Sequence, residues 1–143
     1  MAANSRLTVA VHALAWMTLA QRQGRDVLTS EQVAASVNTN PVIIRRCLGD
    51  LRRAGLVQVR HGAGAGWSLA RPAEDITLLE IYDAVGQEQP FGMHHTEPNL
   101  ECPVGKGIRP ALDQVYGNLD QVLRRELKLV SVDDVLRTTL QLN

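Results

Sequence analysis

Cys102 stands at the end of a short stretch that also carries His94, His95, Glu97 and Glu101. A thiol, two imidazoles and two carboxylates this close together admit three chemistries. The first is metal binding, in which carboxylate and histidine can stand in for thiolate ligands, but this spacing matches no standard zinc pattern. The second is a thiol nucleophile with a histidine base. That enzyme needs an oxyanion site and a substrate pocket, and no motif in the chain supplies either. The third is a redox-responsive thiol. Cys102 is expected in an exposed loop, ahead of the positive end of a helix and near Lys106; both favour thiolate, whereas Glu101 opposes it. Such a thiol can be oxidised to sulfenic acid or to a mixed disulfide. The second cysteine, Cys47, falls on the apolar face of a helix, where a thiol behaves as a small hydrophobe.

A second group of residues carries recognition chemistry. Arg45, Arg46, Arg52 and Arg53 lie on one predicted helix, and Arg60 and His61 follow at the end of a predicted strand. Formal net charge over the whole chain is +0, with 15 basic and 15 acidic residues. Splitting the chain after Arg71 changes that picture. The first part holds nine arginines against Asp26, Glu31 and Asp50, a net +6, and the remainder is −6. One half is thus suited to a polyanion, the other to solvent, protein or a sensing role. Every basic residue in the first part is arginine, the side chain best shaped for bidentate contact with guanine or phosphate. A winged-helix module used only for protein contacts would not need that separation.

The elements that must position these arginines lie in the run Asn40 to Leu69. Asn40 is a good N-cap and Pro41 suits the first helical position, where no amide donor is needed. Ile44, Cys47, Leu48 and Leu51 recur at the spacing of one buried face, and Gly55 ends the helix as a left-handed cap. Leu56 to His61 reads as a strand, Gly62 to Gly66 as a hairpin tip, and Trp67 to Leu69 as its partner strand. Upstream, Thr29 and Gln32 form a capping box that opens a short helix with Val33, Ala34 and Val37 inward. Asn38, Thr39 and Asn40 make the tight connection. A short helix, a turn, an arginine-bearing helix and a two-stranded wing constitute a winged helix-turn-helix, which holds DNA with its second helix in the major groove.

Flanking segments complete the layout. At 143 residues and 45% hydrophobic the chain suffices for one compact domain, or for a small domain with an extension. No segment is long and apolar enough to span a membrane, and the apolar run near Val9 to Ala20 lacks the flanks of a secretory signal. Two cysteines do not make a disulfide scaffold, so a cytoplasmic protein is expected. A first helix covers about Ser5 to Gln21, with Arg6 at its start within reach of a phosphate and His12 as an interface histidine. After Arg71-Pro72, a capping box at Thr77 and Glu80 opens a helix stopped by Gly86. Phe91 to Gly107 is irregular. A long helix from about Ile108 to Lys128 places Ile108, Leu112, Val115, Leu119 and Val122 at the spacing of a helix–helix seam. Such a helix exceeds what so small a motif can cover, so a dimer interface is expected. Ser131 caps a final short helix carrying Val132, Val135, Leu136 and Leu140.

The succession NPVIIRRCLGDLRRAGLV, RHGAGAGWSLAR and ITLLEIYDAV, then a cysteine loop and a long helix, resembles the Rrf2 family of bacterial regulators over nearly the whole chain. The resemblance implies a mainly α fold with a small β-wing: a winged helix-turn-helix (1–86), a sensor-type loop (87–107) and a dimerisation helix with a C-terminal helix (108–143). It implies a homodimeric transcription regulator, in many relatives a repressor, that binds double-stranded DNA at an inverted-repeat operator. By position, Val42, Arg45 and Arg46 would read bases, and Arg60 and His61 would contact backbone or minor groove. Apart from the resemblance, Thr39 in the turn is a further expected DNA contact, and Arg6 is either a phosphate contact or a free surface arginine. Cluster-binding relatives place three cysteines in the loop, whereas this chain has only Cys102 there. The expected cofactor is therefore none, an iron–sulfur cluster or metal being the alternative, and Cys102 is the expected sensor.

Overall fold

The computed structural model describes residues 5–86 and 90–142. Six helices and one hairpin follow each other: α1 (Arg6–Arg22), α2 (Ser30–Val37), α3 (Pro41–Arg53), β1 (Val57–Arg60), β2 (Gly66–Leu69), α4 (Leu78–Ala84), α5 (Pro103–Lys128) and α6 (Val132–Gln141), with a 3-10 turn at Ala73–Asp75. This is the mainly α fold with a small β-wing that the sequence predicts. The chain divides into two compact units, residues 1–87 with 127–143, and residues 88–126. The boundary expected at 87 falls outside the described residues.

Within the first unit, local chemistry sets each helix start. Thr29 accepts from the Gln32 amide while the Gln32 side chain accepts from the Thr29 amide, and Thr77 and Glu80 do the same for α4. Ser131 and Asp134 repeat the pattern for α6. Asn40 accepts from the Val42 amide, with Pro41 at the first helical position. Gly55 follows α3 at φ 77°, a left-handed backbone that glycine adopts without strain.

The core gathers Ala10, Ala13, Leu14 and Met17 of α1 with Val33, Ile44, Leu48, Leu51, Leu56, Ile76, Ile81 and Val132. Each large aliphatic fully enclosed there stabilises the fold by about 1.5–3 kcal/mol. The alanines of α1 let neighbouring helices approach its backbone. α6 is joined to this core by backbone hydrogen bonds, Leu78 N to Val130 O (2.9 Å) and Val132 N to Ile76 O (2.9 Å), and by Arg22 on Asp133 (2.6 Å).

The hairpin pairs Val57 with Leu69 through Arg60 with Gly66, antiparallel. A further bridge ties it to the segment before α2: Leu28 and Trp67 exchange both backbone hydrogen bonds, at 3.0 and 2.8 Å. Gly66 is required at that crossing, because a Cβ would lie 2.9 Å from the Leu28 carbonyl oxygen. At the other end of the wing Arg71 reaches the Asp75 carbonyl and the Glu80 carboxylate (3.0 Å), so the residue closing the α4 capping box also holds the exit of the hairpin.

In the second unit the long helix begins earlier than its sequence pattern suggests. Periodicity places its start near Ile108; α5 begins at Pro103 and runs 26 residues. Gly105 and Gly107, expected in the irregular segment, lie inside the helix, and so does Pro110. Pro103 needs no amide donor at the first position. Gly105 sits so close to the Asn99 backbone that a side chain would collide with its carbonyl oxygen. The preceding loop folds back along the helix: Arg109 donates to the carbonyls of His94 and Thr96, each at 2.8 Å, and Phe91 stacks on Tyr116 at 5.4 Å.

Candidate nucleic-acid interface and thiol site

The two sides of α3 are chemically opposite. Ile44, Leu48 and Leu51 are buried, Cys47 is half-buried, and Val42, Arg45 and Arg46 lie on the opposite face. Val42 is 49% exposed and Ile43 beside it 48%, unusual for branched aliphatics on a helix with a well-packed inner side. An exposed aliphatic flanked by guanidinium groups suits a thymine methyl beside guanine acceptors. Arg53, further along that outer face, is paired with Asp50. Thr39 is half-buried in the turn, while Arg60 and His61 are exposed at the end of β1.

Arg6 opens α1 and lines a small pocket of about 110 Å³ with Ile43, Arg46, Cys47, Asp50 and Val85. Arg6 and Arg46 of α3 thus border the same pocket. Burial, and then the nearby Asp50 carboxylate, push the Cys47 thiol up to about 11. Cys47 is therefore a neutral packing residue, half-buried rather than enclosed.

Cys102 differs in every respect. It is exposed, and it immediately precedes Pro103, the first residue of α5, with none of the irregular segment left between it and the helix. Hydrogen bonds from the Gly105 amide and then the Val104 amide hold its thiol below the ordinary cysteine value. The helix start stabilises the thiolate there. Its own amide donates to the Asn99 carbonyl at 3.2 Å, and its carbonyl accepts from Lys106 at 2.9 Å. His94 and His95 face each other at 4.5 Å between ring centroids. Among the described residues no group of three or more histidine, cysteine, aspartate or glutamate side chains is placed to hold a metal ion.

Along α5 no residue is buried; Ile108, Val115, Leu119 and Val122 are all exposed, and Leu112 is half-buried. A second apolar surface, a groove of about 620 Å³, opens between α1 and α6 and is lined by Leu7, Val11, Trp16, Leu19, Val135 and Leu140.

Two features were not visible in the sequence. Glu31, at the start of α2, holds the Arg45 guanidinium at 3.3 Å across fourteen residues of chain, a separation with no local pattern to reveal it. Arg71, counted only as charge, fastens the wing to α4.

Known proteins agree with this geometry. The pattern of the Rrf2 family, described as iron-dependent transcriptional regulators, matches residues 3–138. The chain belongs to the Rrf2 family. It is 39% identical over 133 residues to the candidate HTH-type transcriptional regulator YwnA of Bacillus subtilis, covering 93% of this chain and 96% of that one. The HTH-type transcriptional regulator IscR of Cereibacter sphaeroides is 38% identical over 85 residues, 59% of this chain and 54% of that one. Among solved structures, a candidate DNA-binding protein superposes with a TM-score of 0.72 at 38% identity, covering 92% of this chain and 99% of its own. The protein is thus a transcriptional regulator of the winged-helix type, and its family is one of regulators, not enzymes. No helix among the described residues is long and apolar enough to cross a membrane. The donors that the described residues of one chain bring together do not fit the iron named in the family description.

Proposed function

We propose that this Rrf2 protein is a homodimeric repressor that reads an inverted-repeat operator through α3 of each copy and releases it when Cys102 is oxidised. The observation that carries the reading is the outer face of α3, where exposed Val42 and Ile43 stand among Arg45 and Arg46 while Ile44, Leu48 and Leu51 of the inner face are buried. On this reading Arg45 and Arg46 contact base edges, Arg60 and His61 follow the backbone or minor groove from the wing, and Arg6 and Thr39 hold phosphate. The uncovered stripe of α5, from Ile108 to Val122, supports dimerisation, since isolated helices rarely leave a seam of aliphatics in water.

Cys102 supplies the switch. The thiolate attacks a peroxide oxygen: an S–O bond forms as the O–O bond breaks, sulfur gives two electrons to the peroxide, and the departing hydroxide takes a proton to become water. A small thiol then condenses with the sulfenic acid, forming a disulfide and releasing a second water; a further thiol restores Cys102. Either product removes the anion that the Val104 and Gly105 amides cap and adds bulk at the start of α5. The test uses DNA fragments from the regulator's own promoter region. Footprints should show paired inverted half-sites. Protection should fall after mild peroxide, return with reductant, and become peroxide-insensitive in Cys102→Ser. A single asymmetric footprint overturns the dimeric reading. A Cys102→Ser variant that responds like the parent overturns the switch.

A further inference from the structure

The +6 half of the chain contains three acidic residues, Asp26, Glu31 and Asp50. Asp50 pairs along its own helix with Arg53. Glu31 instead reaches from the first turn of α2 to Arg45 on α3, Oε1 to Nη1 at 3.3 Å, with both side chains half or more exposed. A carboxylate on the face that must approach a phosphate backbone works against binding through simple repulsion. Its presence there calls for a role that offsets the repulsion.

We propose that Glu31 is a positioning residue for base recognition: by holding Nη1 of Arg45 it aims the opposite, Nε–Nη2 edge of the guanidinium at the base that Arg45 reads. The inference rests on the reading of Arg45 as a base contact. Arginine can grip the O6 and N7 of guanine through that side edge with two parallel donors, and a carboxylate on the remaining nitrogen leaves the edge free. Both partners stand on fixed ground. Glu31 lies inside the Thr29–Gln32 capping box, and α3 is anchored by the Asn40 cap and its buried face. An unrestrained arginine samples many rotamers and can settle on phosphate or on several bases. One restrained at a single nitrogen gives up less freedom on binding and tolerates fewer partners. Glu31 thus exchanges general affinity for selectivity at one base pair.

The alternative is a plain staple between α2 and α3, whose loss would weaken binding to all sequences alike. The two separate cleanly. A pool of random-sequence DNA duplexes is selected on the parent protein to give its preferred site, and affinities for that site and each single-base variant are then compared across mutants. Arg45→Ala should erase the preference at one base pair of each half-site. Glu31→Ala should lower the preference at that same base pair by about threefold or more, a part of what a bidentate contact discriminates. Preferences elsewhere should remain, and binding to unrelated duplex should rise at low salt because one negative charge is gone. Glu31→Gln, which keeps an acceptor oxygen, should fall between. Unchanged preference in Glu31→Ala, or an equal loss at every position, overturns the positioning role. If Arg45→Ala itself leaves every preference intact, the base-reading assignment fails, and Glu31 with it.

Discussion

Two glycines of the same helix offer a matched test of how the loop meets α5. Replacing glycine by alanine in an open helix stabilises by about 0.5–1 kcal/mol, because the chain loses less backbone freedom on folding. Gly117 is such a site: an alanine methyl there would have nothing within 4 Å, and it faces away from the Ile108–Val122 stripe. At Gly105 the same methyl would collide with the Asn99 carbonyl oxygen and lie 3.1 Å from its carbon. The obstacle is backbone, so the loop itself must move. That movement strains the Cys102 amide bond to Asn99 O (3.2 Å) and the Glu101 amide bond to Asn99 Oδ1 (3.0 Å). The propensity gain is common to both sites and cancels in their difference. Overpacking of about 1–3 kcal/mol and one lost hydrogen bond of about 1 kcal/mol remain, so Gly105→Ala should be less stable than Gly117→Ala by about 2–4 kcal/mol. Urea denaturation followed by helical circular dichroism measures the gap. A second readout is the alkylation rate of Cys102 at neutral pH, which should slow in Gly105→Ala as the Val104 and Gly105 amides shift from the thiolate. If Gly105→Ala is as stable as Gly117→Ala and its thiol reacts at the parental rate, the loop does not lie against the helix as described.

Other outcomes follow from the same geometry. Arg45→Ala or Arg46→Ala should cost about 1–3 kcal/mol of operator affinity and relax sequence choice, while Arg60→Ala should weaken all sequences evenly and reduce the salt slope by about one; filter binding at several salt concentrations distinguishes them. Leu119→Asp sets a charge in the exposed aliphatic stripe and should yield a folded monomer by sedimentation with greatly weakened operator binding, whereas a dimer of parental affinity excludes the seam. With its thiol near 11, Cys47 is about one part in a thousand thiolate at pH 8, so mass spectrometry should find Cys102 alkylated long before Cys47. Asp133 is held below the ordinary carboxylate value, foremost by its hydrogen bond from Arg22. A depressed value in the fold means stability present above about pH 4 and lost as the pH falls through the folded value. Acid unfolding of Asp133→Asn should therefore be less steep than that of the parent, and equal steepness would refute the assignment.

What the sequence discloses here is what acts over three or four residues. The Thr29–Gln32 and Thr77–Glu80 boxes, the Asn40-Pro41 start and the Gly55 stop are contained in their own segments, and each sits where the residues place it. The apolar faces of α2 and α3 follow from the same short-range spacing. The start of α5 does not. Gly105 and Gly107 argue locally for a loop, and only the Asn99 backbone packed on Gly105 and the Arg109 bonds to the loop carbonyls make helix the better state. Cys102, expected in an exposed loop ahead of the positive end of this helix, lies directly at its start, and the amides that lower its thiol come from Gly105 and Val104, residues that the spacing places in the loop. The Glu31–Arg45 pair, the Leu28–Trp67 bridge and the Arg71 clamp join residues far apart in the chain, and no periodicity encodes them.

The Leu28–Trp67 bridge has a bearing on how release from DNA would work. Two backbone hydrogen bonds and a glycine with no room for a side chain fasten the wing to the segment leading into α2, and Arg71 fastens its far end to α4. A reading head clamped at both ends of its hairpin behaves as a stiff probe: it fits its half-site or it does not, with little capacity to flex into a poor match. For a pair of such probes the sensitive variable is their phase along the double helix. Successive half-sites face the same way only about every 34–36 Å, one turn of DNA. A displacement of one head by the rise of a single base pair, about 3.4 Å, also rotates its target by roughly a tenth of a turn. A signal that re-spaces the two heads by a few ångströms would thus leave each one intact and still able to grip a lone half-site, while the full operator falls out of step with the pair.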